Sequence, residues 1–314
     1  MNTTQINVRD PMQPEEPRGS TVGTRNGLTV WLFLLPALIL FAIFLVYPIA
    51  QSIFYSFFDW KGFGPADDFV GFENFARILT DKVFHKAVIN GLLLVVLSLV
   101  VQLPFSLGLA IMVGRDLPGK AFFRTVFFMP YVLSEVITGI MWLSLFDPNP
   151  SRGLINAILE LIPGLQAHPW LADPDTVLFA VFIVLTWKYF GFHMLLYLAG
   201  LQNISKEVEE AALIDGANQG QKLWFITIPL LSGTIRTSVY LSVLGSLQQF
   251  ALVWIMTKGG PVNASEVMST YMYRFGFVRF ELGYGSAVAI VMLLISLAFS
   301  IAYLQLVKQP DYLE

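Results

Sequence analysis

Cysteine is absent from this sequence and only three histidines occur, so disulfides and thiolate metal sites are excluded. His193 stands in no histidine-glutamate zinc pattern, and no Gly-x-Ser-x-Gly nucleophile elbow occurs anywhere in the chain. One segment, Gly114-Arg115-Asp116-Leu117-Pro118-Gly119-Lys120-Ala121, imitates a phosphate-binding loop. It fails at Ala121, where a Ser or Thr hydroxyl would hold magnesium, and it follows an apolar run of membrane length rather than a strand. Catalysis by this chain is therefore not expected, and any ATP hydrolysis must come from another polypeptide. Charge is also scarce: 13% of residues are charged, with a net charge of -3, which provides no basic surface for nucleic acid.

What the chain has instead is apolar length. Hydrophobic residues make up 55% of it, in blocks too long for a soluble core. A hydrocarbon layer about 30 Å thick needs roughly 20 mostly apolar residues per helix. Six segments meet that test, at about 28–54, 87–113, 121–146, 176–201, 234–256 and 286–307. Backbone groups in lipid must be satisfied within the segment, and these runs lack the alternation of barrel strands. The expected fold is an all-α integral membrane protein with six transmembrane helices. Residues 1–27, polar and broken by Pro11, Pro14, Pro17, Gly19 and Gly23, read as a flexible tail. The membrane domain then covers 28–307, and 308–314 form a short C-terminal tail. The first apolar run is too long for a secretory signal and lacks a clear cleavage site, so it is expected to be retained.

Longer connections at 58–86, 147–175 and 257–285 fall on one side of the membrane, and none is large enough for a domain of its own. Lysine and arginine divide ten to eight in favour of the side carrying the N-terminus. The short basic loop 114–120, with Arg124 beyond it, favours both termini inside.

The loop 203–230 on that inner side is a polar, helix-forming island between two apolar runs. Ser205 can cap a helix starting at Lys206, Glu207, Glu209 and Glu210 lie near its positive end, and Gly216 can end it in a left-handed conformation. Ala211 and Ala212 are small enough for another surface to approach. Leu223, Trp224, Phe225 and Ile226 lead back to the membrane, where Pro229 marks a kink. An ordinary amphipathic loop would share many of these traits. The spacing of Glu210-Ala211-Ala212, Asp215-Gly216 and Ile228-Pro229 is more specific, and it resembles the EAA loop of permease subunits in binding-protein-dependent ABC importers. Gly233 departs from that pattern, since many relatives have a second proline there.

Other stretches are similar to the maltose-type and related carbohydrate permeases: Leu35-Pro36-Ala37, Tyr47-Pro48-Ile49, Val70-Gly71-Phe72-Glu73-Asn74-Phe75, the third-span segment from Phe127-Phe128-Met129-Pro130 to Glu135-Val136, and Thr257-Lys258-Gly259-Gly260-Pro261. The resemblance implies a type I ABC importer permease fold with a cytosolic coupling helix, set in a bacterial inner membrane. It also implies a second homologous permease subunit, a cytosolic ATPase dimer that binds ATP and magnesium, and a periplasmic or extracellular sugar-binding protein delivering a carbohydrate. This chain itself would hold no cofactor. Coupling to the ATPase would fall to Glu210, Ala211, Ala212, Asp215, Gly216 and Pro229.

Polar groups within the spans are the candidates for a substrate pathway. A charge at the bilayer centre costs roughly 2.5 to 3.5 kcal/mol on insertion scales, so Glu135 and Lys188 should face a cavity or one another. Asn90, Gln102, His193, Gln248 and Gln249 can hydrogen-bond sugar hydroxyls, with Tyr131, Trp142 or Trp187 stacking on a pyranose face. Taken singly, each reads first as an interhelical hydrogen bond worth about 1 kcal/mol. Ser242, Gly245 and Ser246, at helical spacing, read as marking close helix packing. The competing function is an ion-coupled secondary transporter with Glu135 as the coupling carboxylate.

Overall fold

The computed structural model describes residues 24–114 and 119–307. The expectations for residues 1–23, for 115–118 in the basic loop, and for 308–314 lie outside the described residues. Among those described, the only extended pairing is an isolated bridge between Phe58 and Phe69, and the rest of the ordered backbone is helical.

Five helices have the length and apolarity of a span: α1 (Val30–Tyr55), α3 (Lys82–Gly114), α7 (Val177–Gln202), the Ser232–Met256 segment and α13 (Leu282–Leu306). The expected third span is two helices, α4 (Lys120–Val132) and α5 (Glu135–Leu145), bent by 97° at Leu133 and Ser134. The pair makes a sixth span only if counted as one broken helix. The expected straight helix over 121–146 is thus corrected. Ser134 has extended backbone and its hydroxyl accepts from the Val136 amide at 3.3 Å, so it starts a new helix instead of continuing the old one. The fifth span is also divided, into α10 (Ser232–Leu247) and α11 (Ala251–Met256), with Gln248, Gln249 and Phe250 between them.

Shorter helices occupy the connections: α2 (Glu73–Thr80), α6 (Leu154–Glu160) and α12 (Met268–Tyr273) on one side of the spans, and α8 (Lys206–Ile214) and α9 (Gln219–Lys222) on the other. By contact the chain forms two compact units, 1–51 and 52–314. In the first, the described part of α1 is almost wholly exposed, as a lipid-facing or partner-facing helix would be. In the second, α7 is the most enclosed span. Its residues enter two buried clusters, one with Leu94, Leu252 and Val267 and one with Ala110, Val113 and Leu231.

Proline shapes three of the helices in one way. Widened π-turns at Ala42–Val46, Ser98–Gln102 and Leu223–Thr227 each end two residues before a proline: Pro48, Pro104 and Pro229. A proline ring presses on the carbonyl four residues earlier and offers it no N–H, and an extra residue in the turn makes room for that carbonyl. Pro229 therefore acts through a widened turn that precedes it, where a kink is the sequence expectation.

Candidate functional site: a cavity at two helix breaks

The interrupted spans place non-helical backbone within membrane-length segments, an arrangement tolerated where it lines a cavity or is buried in protein. Both breaks border one cavity of about 490 Å³. Glu135 comes from the first break, Gln248, Gln249, Phe250 and Ala251 from the second, and Tyr131, Tyr189, Phe192 and His193 from the faces of α4 and α7. Ser98 and Gln102 in α3, with Ser242, Gly245 and Ser246 in α10, complete the polar wall.

The backbone freed at the breaks is satisfied from neighbouring helices. Lys188, 3% exposed, donates to the carbonyl of Leu133 at 2.5 Å and to that of Tyr131 at 3.4 Å. The Ser269 hydroxyl donates to the carbonyl of Gln249. Glu135 and Lys188 are thus neighbours without direct ion-pair contact: the ammonium is spent on the broken backbone, and Glu135 Oε1 accepts from the Tyr189 hydroxyl. Glu135 also opens α5, where the helix dipole favours a carboxylate.

Of the sequence candidates, Gln102, Tyr131, Glu135, His193, Gln248 and Gln249 meet in this cavity. Tyr131 stacks on Phe192 with centroids 5.0 Å apart, giving the wall an aromatic face. His193 Nδ1 bonds the Ser238 hydroxyl at 2.8 Å, and Gln102 Oε1 accepts from Ser98, whose hydroxyl also meets Ser246 at 3.2 Å. Two lining groups, Gln249 Nε2 and the Ser242 hydroxyl, are buried without any hydrogen-bond partner. Buried polar atoms are rarely left unpaired, which sets these two groups apart from the rest of the lining. Ser242, Gly245 and Ser246, expected to mark close packing, line the cavity, while Ser246 also bonds across helices.

Asn90, Trp142, Lys188 and Trp187 lie outside the lining. Asn90 is a structural tie: its side-chain amide donates to the carbonyls of Ala264 at 3.0 Å and Glu266 at 2.8 Å, anchoring α3 to the segment before α12. That segment is built around fully buried Glu266, which meets Arg274 at 2.5 Å. Burial pushes its carboxyl upward, against the opposing pull of Thr270 and Arg274. Replacing Asn90 by Leu leaves two buried carbonyls without a donor, and the expected loss is about 1–3 kcal/mol per carbonyl left unmet. Thermal unfolding of the detergent-purified chain checks it: an unshifted midpoint would show that the tie is dispensable. Trp142 and Trp187 pack edge to face at 5.6 Å.

On the opposite end, α8 runs from Lys206 to Ile214. Its first residue follows Ser205, which occupies the cap position without a side-chain bond, contrary to the capping expected of it. The helix ends as the glycine foretells: Gly216 has φ +84°, its amide donates to the carbonyl of Leu213, and the Ala217 amide donates to that of Ala212 at 3.0 Å. Glu209 pairs with Lys222 at 2.8 Å, holding α8 to α9. Ala212 is 7% exposed and turned into the protein, while Glu207, Glu210, Ala211 and Ile214 form the outward face, Ile214 being 84% exposed. Asp215 and Gly216 are exposed at its end.

Residues 102–310 match the family model described as the binding-protein-dependent transport system inner membrane component. The probable ABC transporter permease protein YurN of Bacillus subtilis is 36% identical over 90% of this chain and 97% of its own length. The lactose transport system permease protein LacF of Rhizobium radiobacter is 34% identical over 88% of this chain and 92% of its own. Among solved structures, a chain of a bacterial alginate ABC transporter, crystallised in complex with an alginate pentasaccharide-bound periplasmic protein, superposes with a TM-score of 0.77. It is 26% identical, and the match covers 89% of this chain and 93% of that one.

Proposed function

This chain belongs to the family of binding-protein-dependent transport system inner membrane components, and on that premise we propose how it works as the sugar permease subunit of an ABC importer. The outward face of α8 docks on a cytosolic ATPase, which binds ATP and magnesium and supplies the hydrolysis. A second homologous permease subunit completes the membrane unit, and a sugar-binding protein delivers cargo from outside. Both termini and the loop 203–230 then lie in the cytosol of a bacterium. The ion-coupled alternative built on Glu135 loses its ground, since the family model covers residues 102–310, Glu135 among them, and a permease relative aligns over 90% of the chain.

The observation that carries the coupling role is the exposure of Glu210, Ala211 and Ile214 on one side of a helix whose other side is pinned by Ala212 and the Glu209–Lys222 pair. A helix fixed on one face and bare on the other transmits displacement as a rigid body. Glu210 and Asp215 offer polar contacts to the ATPase and Ala211 a close approach. The smallness of Ala212 lets α8 lie against its own subunit. Gly216 sets the exit from the helix, and Pro229, through its widened turn, joins the loop to α10.

Cargo passes through the cavity at the two breaks, its hydroxyls meeting Gln102, Glu135, Gln248 and Gln249 and its apolar face meeting Tyr131. Interrupted spans commonly place transport sites near the middle of the membrane. Reversing the charge at Glu210 (Glu210→Lys) is expected to lower sugar uptake at least about fivefold, the lower end of typical coupling energies, while the chain still inserts and is still recovered with the ATPase. Uptake assays paired with ATPase measurements in proteoliposomes test this, and unchanged uptake would remove α8 from the coupling path.

A further inference from the structure

The cavity has a sign. Among its lining residues Glu135 is the single Asp or Glu, and no Lys or Arg joins it. Lys188 lies close by, yet its ammonium is aimed into the break at the Leu133 and Tyr131 carbonyls and is 3% exposed. The carboxylate is on the wall and the ammonium is behind it. Tyr189 occupies one carboxylate oxygen, and no donor among the described residues reaches Oε2 of Glu135. Elsewhere in the lining, the buried amide nitrogen of Gln249 and the hydroxyl of Ser242 lack partners. The wall therefore combines a charged acceptor, neutral polar residues such as Gln248 and Ser246, and a stacked Tyr131–Phe192 face.

We propose that this cavity is a charge filter: Glu135 takes hydrogen bonds from the hydroxyls of uncharged or cationic sugars and repels sugars bearing carboxylate or phosphate groups. The proposal rests on reading the cavity as part of the cargo passage, and it names the charge class of that cargo. A superposable permease chain serves an importer of alginate, an acidic polysaccharide, so the fold by itself leaves cargo charge open and side chains on the wall must decide it. A carboxylate facing a narrow cleft with low-dielectric walls focuses its field into the space, and such fields alter local ion concentration by about tenfold or more.

The absence of cysteine makes a direct test simple. Gln248→Cys, and separately Ser246→Cys, place one thiol on the cavity wall of the chain in its assembled importer. Each is labelled with a cationic trimethylammonium, an anionic sulfonate and a neutral methanethiosulfonate, and rates are read from the mass of this chain. Rates are divided by those of the same reagents with a free small thiol. The cationic reagent is expected to react about tenfold faster than the anionic one, Glu135→Gln to bring the ratio within about twofold of unity, and Glu135→Asp to keep it. A ratio near one in the parent would mean that Lys188 cancels the carboxylate, and it would overturn the proposal. So would failure of all three reagents to label either thiol, since a cavity closed to water filters nothing. Adding binding protein loaded with neutral sugar separates the two readings. If it slows all three reagents, cargo enters the cavity. If the charge ratio persists without such protection, the filter exists and the passage lies elsewhere.

Discussion

Replacing Gly191 with alanine is expected to destabilise the protein by about 3 kcal/mol, the upper part of the range for overpacking, although alanine is the better helix former. A β-carbon built there would lie 2.0 Å from the carbonyl oxygen of Phe127 and 3.0 Å from the α-carbon of Phe128. Those are backbone atoms of α4, so no flexible side chain can yield. The sign is the informative part. In a helix free of close neighbours, glycine to alanine gains about 1 kcal/mol, so stabilisation would show that α4 and α7 do not meet there. Gly191→Val, with a larger branched side chain, is expected to prevent recovery of folded chain altogether. Thermal unfolding of the purified alanine variant, together with the yield of both variants in the membrane fraction, gives the answer. The contact sits one turn from Lys188 and beside Phe192, so it helps fix how the first helix break meets the cavity.

The positions of the apolar segments were legible because lipid imposes a length rule on each segment by itself. The structural ranges 177–202 and 282–306 depart from the sequence ranges by a few residues, the first helix already begins at Thr24, and 82–114 extends the second span by about a turn at its start. The breaks were not legible from apolarity. Leu133 and Ser134 lie inside a segment that is apolar enough on average to be a span, and the carbonyl of Leu133 at the bend is covered by Lys188, 55 residues further on. A local signal did exist: Ser134 followed by Glu135 is a helix start, with a capping hydroxyl and an acid in the first turn. Hydropathy outweighed it. The second break, at Gln248 and Gln249, was visible as polarity within a span but not as a change of direction.

The same reasoning sorts the polar candidates. Asn90 and Gln102 are indistinguishable by sequence, each a lone amide in the same long helix. They separate only because the segment before α12 folds over Asn90, while Ser98 and the cavity lie beside Gln102. In the loop 203–230 the glycine end was readable because a positive φ is a local requirement. Which alanine is exposed was not, since it depends on how the helix lies against its own subunit.

Lys188→Met is expected to cost about 2 to 6 kcal/mol, at about 1–3 kcal/mol for each of the two buried carbonyls left without a donor. Methionine keeps much of the volume, so the loss isolates the ammonium, whose removal leaves the carbonyls of Leu133 and Tyr131 without their donor and Glu135 without its nearby positive charge. The two contributions separate in a double-mutant cycle with Glu135→Gln. If Lys188 works mainly by covering the broken backbone, the loss is nearly the same in either background, because the carbonyls are unaffected by the identity of residue 135. If it works mainly by balancing the carboxylate, Glu135→Gln removes most of the loss and the coupling exceeds about 1 kcal/mol. The geometry favours the first outcome: a direct bond of 2.5 Å to Leu133 against a carboxylate held by Tyr189 and the start of α5. Denaturation in detergent of the four proteins measures the cycle. A strong coupling would place Lys188 and Glu135 in one neutralised unit, and the cavity would then carry no net charge.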